Sequence, residues 1–149
     1  MLFLGSHAVK VDDKGRLKLP SLVKDRLAEQ YGKEASYFVT SLNGQTVQIY
    51  PLAEWQRIDD TLAQGPRFDR LKDKFLFQAN RYGGEATVDE QGRLLIPAKL
   101  RDSAGMRGEV VLFWQSNHIA VYSQARYDAE AGKNDLTEQD YQDLSKFGI

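Results

Sequence analysis

The chain has 149 residues, 42% of them apolar and 28% charged, with a formal net charge of −1 and no cysteine. That length suits one compact domain or two small modules sharing a core, and the apolar content favours a packed protein over a disordered one. The lack of cysteine excludes disulfides, thiolate zinc sites and cysteine nucleophiles and suits a reducing cytoplasm, while near-neutrality argues against a protein that coats nucleic acid by bulk charge.

In chain order, MLFLGSHAVK carries an apolar cluster, Leu2, Phe3 and Leu4, suited to the core or to a subunit contact. It has no positive region ahead of that cluster and no small-residue cleavage site, so no secretory leader is expected. No apolar run approaches the roughly 20 residues of a membrane helix. A strand from Ala8 to Val11 leads to a turn at Asp12-Asp13-Lys14-Gly15, and Leu17 and Leu19 then alternate with Arg16 and Lys18 as a second strand. Pro20 ends that strand, and Leu22, Val23 and Leu27 form the apolar face of a short helix with Lys24 and Arg26 outside. A hairpin follows over residues 38–50, turning at Asn43-Gly44.

Pro51 stands at a helix start, and Leu52, Trp55, Ile58 and Leu62 recur at helical spacing until Gly65-Pro66 breaks the pattern. A second helix places Phe68, Leu71, Phe75 and Leu76 on one face and ends at Gly83-Gly84. Strand, turn, strand and helix then return, with Leu100 as the helix anchor, followed by a hairpin turning at Ser116-Asn117. Beyond Tyr127 the AEAGKND stretch reads as a loop, and Thr137 opens a short polar helix through Leu144 in a loosely held tail.

The return is an internal repeat. A shift of 77 positions lays VDDKGRLKLPSLVKD on VDEQGRLLIPAKLRD, and a shift of 72 lays FVTSLNGQTVQIY on VVLFWQSNHIAVY. The longer LAEQYGKEA of the first copy absorbs the difference. About 50 residues per copy is marginal for an independent core, which favours two copies interleaving into one mostly β barrel with helices, an α+β fold. The expected division is residues 1–58 for the first module, 59–81 for a helical connector, 82–127 for the second module and 128–149 for an acidic tail.

Charge is uneven along this plan. Residues 1–108 hold 17 Lys and Arg against 14 Asp and Glu, whereas residues 109–149 hold 3 against 7. Lys10, Lys14, Arg16, Lys18 and Lys24 cluster against only Asp12 and Asp13, which is where a polyanion would bind. Gly15 and Gly92 permit a sharp reversal that brings backbone N–H groups close to a phosphate. Arg16 and Arg93 follow directly, and a guanidinium forks onto a phosphate or onto guanine O6 and N7. The same residues also serve a structural purpose, with Asp12 and Asp89 capping the turns and pairing with the arginines, and the sequence leaves both uses open for Arg16 and Arg93. Arg93 ranks second because Glu90 and Gln91 make its turn less basic. His7 and His118 lack ligand spacing, Asp12-Asp13 and Asp59-Asp60 suit solvated surfaces, and no nucleophile motif or phosphate loop is present, so no metal, cofactor, small-molecule substrate or enzyme activity is expected.

The opening M-x-F-x-G, then His7 followed by Asp12-x-Lys14-Gly15-Arg16-Leu17-x-x-Pro20, and the second motif from Asp89 to Arg101 resemble the MraZ proteins of bacteria over roughly residues 1–127. The resemblance implies two swapped-hairpin modules of the AbrB type in a pseudo-symmetric barrel. It implies a DNA-binding transcriptional regulator that acts, as a ring oligomer, on repeated G-rich elements in the promoter of the division and cell-wall gene cluster containing its own gene. Such a protein would be cytoplasmic and nucleoid-associated, with duplex DNA and further copies of itself as partners. On that basis Arg16, Lys14, Arg93, Lys18 and Lys10 are the DNA-binding candidates, and Asp12, Gly15, Asp89 and Gly92 build the turns. Tyr122 and Trp114 depart from the family pattern, which usually has Trp and Gly there. Two other roles stay open: an antitoxin-like protein whose tail wraps a partner, and a scaffold in which the ring itself is the functional object.

Overall fold

The computed structural model describes residues 2–149, so Met1, the first residue of the opening motif, lies outside the described residues. In chain order the elements are β1 (His7–Val11), β2 (Arg16–Lys18), α1 (Ser21–Tyr31), β3 (Ser36–Thr40), β4 (Val47–Pro51), α2 (Leu52–Ala63) and α3 (Arg70–Tyr82). The second half holds β5 (Gly84–Thr87), β6 (Arg93–Leu95), α4 (Ala98–Ser103), β7 (Gly108–Gln115), β8 (His118–Ser123), α5 (Gln124–Ala131) and α6 (Glu138–Ser145).

The strands form one antiparallel sheet in the order β5-β3-β4-β8-β7-β1-β2-β6, and its two ends lie against each other, so the sheet is a nearly closed barrel. Around that circle, exchanging β1 with β5, β2 with β6, β3 with β7 and β4 with β8 returns the same order. The repeat is thus a pseudo-twofold axis of the fold. The copies interleave: β1 pairs with β7, β5 with β3, β2 with β6 and β4 with β8. Each copy's leading strand completes the other copy's hairpin, and closure leaves little free edge to be managed.

The core repeats with the same symmetry. Leu17 and Leu94, Leu19 and Ile96, Val23 and Leu100, and Leu27 and Ala104 are equivalent across the copies, and all are buried. In the hairpins, Val39 and Val111, Val47 and Ile119, and Ile49 and Val121 are buried in the same way. Pro20 and Pro97 each end a strand and start a helix, since a proline supplies no N–H to the ladder and its backbone angle suits a helix start. Trp114 and Tyr122, the departures from the family pattern, make aromatic contacts of their own. Trp114 packs at 6.0 Å from Phe3, and Tyr122 at 5.5 Å from Phe113.

Helices α2 and α3 sit on one flank, against β3 and β4. Trp55 packs against Phe38, Tyr50 and Phe75, and the Thr40 hydroxyl donates to the Ala79 carbonyl at 2.6 Å, which fastens α3 to β3. Here the structure departs from helical periodicity. Leu52 and Leu22 are exposed, Leu71 is 75% exposed, and Phe68 is 90% exposed and precedes α3, whose N-cap is Asp69. Periodicity marks which residues share a helix face, but only the neighbouring element decides whether that face is covered.

The tail also differs. Residues 124–131 form α5 where a loop is expected after Tyr127, because Ser123 caps the helix through the Arg126 N–H and Tyr127 packs on Phe113 and Tyr122. The helix expected from Thr137 is present as α6, opened by a capping box between Thr137 and Asp140.

Candidate nucleic-acid interface

The two Asp-x-x-Gly-Arg turns are near-identical in geometry. In the first, Asp12 Oδ1 accepts the N–H groups of Lys14 and Arg16, each at 2.9 Å, while Asp12 Oδ2 takes Arg16 Nε at 2.7 Å. In the second, Asp89 Oδ1 accepts from Gln91 and Arg93 at 2.9 and 2.8 Å, and Oδ2 takes Arg93 Nε at 2.9 Å. Gly15 and Gly92 sit at φ of 80° and 77°, the left-handed region a side chain disfavours. The backbone N–H of the arginine, and then its guanidinium, hold the Asp12 and Asp89 carboxyls below the usual carboxylate range.

This settles what the acids do to the arginines. Each carboxylate engages Nε alone, and the terminal Nη groups of Arg16 and Arg93 have no hydrogen-bond or ion-pair partner among the described residues. Structural pairing and an outward fork therefore coexist in one side chain. The pair fixes the guanidinium of a side chain that is about one-third exposed in both copies, and leaves both Nη groups free to meet an anion.

β2 and β6 form an antiparallel ribbon with Leu17 opposite Leu94, both buried, so their neighbours point outward. Arg16 faces Leu95 across the ribbon, and Lys18 faces Arg93. Leu19 N–H donates to the Gly92 carbonyl and Ile96 N–H to the Gly15 carbonyl, both at 2.8 Å, so the pairing runs into each turn. Gly15 lies opposite Ile96, four residues from Gly92, which sets the two turns about 13 Å apart along the ribbon. The outer face is thus a short strip with an arginine fork toward each end, Lys18 beside Arg93 and exposed Leu95 beside Arg16.

Contributions cross between the copies. Lys18 Nζ donates to the Gln91 carbonyl, and Lys24 Nζ donates to the Glu90 carbonyl at 2.7 Å, so two first-copy lysines lie on the second turn. The second turn therefore carries more positive charge than Glu90 and Gln91 suggest. Lys24 stood out in the sequence only as part of a local charge excess; its place on the second turn follows from interleaving. The helix after the second repeat returns the arrangement, with Arg101 lying across Gly15 and its Nε donating to the Ile96 carbonyl at 3.3 Å. Arg101 ends the second repeated motif and is the repeat mate of Lys24 at a shift of 77, but it was not among the DNA-binding candidates. Lys14 is exposed at the tip of the first turn, whereas Lys10 is exposed on β1 directly opposite Glu109, an acid that offsets its charge.

The remaining candidates stand apart. His7 Nε2 lies 3.2 Å from the Leu4 carbonyl, and His118 packs 4.9 Å from the Tyr50 ring on the far hairpins, where burial pushes its pKa down to about 4. No group of three metal-ligating side chains occurs among the described residues.

A family profile described as "MraZ protein, putative antitoxin-like" matches residues 2–78 and 83–146. The chain belongs to the MraZ family. Relatives named transcriptional regulator MraZ align along nearly all of it. One from Acidobacterium capsulatum is 41% identical, covering 99% of this chain and 100% of its own length; one from Koribacter versatilis is 34% identical over the same shares. A third, from a Marinomonas species, is 30% identical over 93% of this chain and 90% of its own length. MraZ membership and the interleaved barrel agree: the matched segments run through both copies, and the break between them falls at Ala79–Tyr82, the end of α3.

Proposed function

We propose that this MraZ-family chain is a DNA-binding transcriptional regulator, with no catalytic role, that reads duplex DNA through the outer face of the β2–β6 ribbon. The observation that carries this reading is the pair of arginine forks, each oriented by its own aspartate through Nε with its Nη groups open. B-DNA's major groove is about 12 Å wide and admits a two-stranded ribbon, and an arginine fork matches guanine O6 and N7. Arg16 and Arg93 are the base-reading candidates. Lys14 and Lys18 supply phosphate contacts, and Lys10, opposed by Glu109, contributes least.

Arginine forks suit a G-rich target, and the MraZ relationship points to repeated elements of that kind in the promoter of the division and cell-wall cluster that includes this protein's own gene. Each pair of turns covers few base pairs, so tight binding requires several subunits engaging spaced elements together, as a ring of copies would. The protein then works in the cytoplasm at the nucleoid. No helix among the described residues is long and apolar enough to cross a membrane.

The test is a gel shift with the fragment upstream of the gene. Arg16→Ala is expected to abolish retention while the oligomer mass by light scattering stays unchanged; normal retention would overturn the assignment. A ring with no preference for that fragment over random DNA would favour the scaffold role. An antitoxin-like role has one observation in its favour: Leu136, Tyr141, Phe147 and Ile149 are exposed along the tail. A small protein that stays bound to the full chain in equal amount, and is lost from a chain ending at residue 131, would support that reading.

A further inference from the structure

We propose that Arg101, carried by α4 in the second copy, completes the anion site of the first turn and contacts a phosphodiester oxygen of bound duplex DNA. The proposal rests on the DNA-binding reading above and adds a residue to it from the other repeat.

Three features of Arg101 support it. First, its guanidinium occupies the space above Gly15 that a Cβ would fill, overlapping Nε and Cζ, so the side chain is seated on the backbone of the turn rather than free in solvent. Second, only Nε is committed, to the Ile96 carbonyl at 3.3 Å, and the terminal Nη groups have no partner among the described residues. Third, Arg101 has no carboxylate partner among the described residues. Asp102, its neighbour, is bound by Arg107 at 2.6 Å, and Asp12 is bound by Arg16.

Arg101 therefore lies over the glycine turn that also carries Arg16 and Lys14, half-buried and without a counter-ion of its own among the described residues. A phosphate placed at the open Nη groups gains charge-assisted hydrogen bonds from donors that the turn already holds in place. The pseudo-twofold mate sharpens the contrast. Lys24, at the same place over the second turn, bonds the Glu90 carbonyl at 2.7 Å through its single nitrogen, while the arginine bonds the ribbon through Nε and keeps both Nη groups open. Gly15 is thus required twice, by its backbone angle and by the guanidinium seated on it.

The experiment measures affinity for the duplex upstream of the gene at a series of salt concentrations, for wild type, Arg101→Gln, Arg101→Lys and Arg16→Ala, each checked for folding by circular dichroism and for oligomer mass. Gln keeps an amide donor for the Ile96 carbonyl and removes the charge, so it guards against simple collapse of the turn. Arg101→Gln is expected to weaken binding about tenfold and to lower the slope of log affinity against log salt by about 0.9 for each engaged turn, with Lys restoring the slope. Unchanged affinity, or weaker binding at an unchanged slope, would overturn the phosphate contact. If Arg16→Ala loses the fragment while Arg101→Gln keeps it, only the role of Arg101 fails. If both variants bind as wild type does, the DNA-binding reading fails with it.

Discussion

Asp12 and Asp89 each bond two backbone N–H groups through one oxygen and an arginine Nε through the other, so a single carboxylate both builds the turn and aims the fork. The two tasks separate by substitution. Asp12→Asn keeps an Oδ1 acceptor for Lys14 and Arg16 N–H but faces Arg16 Nε with a second donor, so the turn persists and the guanidinium loses its anchor. The expected result is a nearly unchanged melting temperature with affinity for the upstream duplex reduced roughly tenfold, the worth of one charge-assisted bond. Thermal melts and titrations on the same preparation check it; an unchanged affinity would mean that the aspartate does not set the reading geometry. The double use of Arg16 was legible in DDKGR as two competing roles. What the letters could not show is that Nε takes the pairing with Asp12 and leaves the Nη groups without a partner among the described residues.

Among elements, the ribbon and the two hairpins divide the work. The β2–β6 ribbon places charge outward because a strand alternates, and this much follows from RLK and RLL once Leu17 and Leu94 are taken as core. The hairpins β3–β4 and β7–β8 make the opposite wall, where His118 lies against Tyr50 beside the Asn117 side chain at 2.9 Å. Burial lowers its folded pKa from 6.5 to about 4. The unfolded chain therefore binds a proton that the folded chain refuses, and the stability His118 supports is present above about pH 6.5 and lost as pH falls toward 4. Urea unfolding at pH 7 and pH 5 should show the folded state weaker at pH 5, and His118→Gln should shrink that difference. An equal difference in the variant would assign the pH dependence to other groups.

At the scale of the whole molecule, interleaving makes each turn a joint product of both copies. Lys18 and Lys24 reach the second turn, Arg101 reaches the first, and neither copy alone carries a complete basic site. The tail lies outside this plan. α6 forms no extended packing against the barrel, and its Tyr141 stays exposed, whereas α5 is fastened by Tyr127 to Phe113 and Tyr122. A chain ending at residue 131 is accordingly expected to melt within about 2 °C of the full chain, since removing surface segments without buried contacts costs little. A fall much larger than that would show that the tail is part of the folded core.

The repeat, the two glycine-arginine turns, their alternating strands and the α+β barrel of two joined copies were all legible in the amino-acid order. These follow from local chemistry: a left-handed glycine, a proline that ends a ladder, and apolar spacing of two or of three and four. The tertiary structure alone decided which helix faces are covered, leaving Phe68 and Leu71 exposed, and turned the residues after Ser123 into a helix by offering Tyr127 an aromatic seat. It alone also brought Lys24 to Glu90 and Arg101 to Gly15, residues 66 and 86 positions apart in the chain. Contacts at such separations depend on how strands pair, and strand pairing is a property of the closed barrel, which no short window of sequence contains.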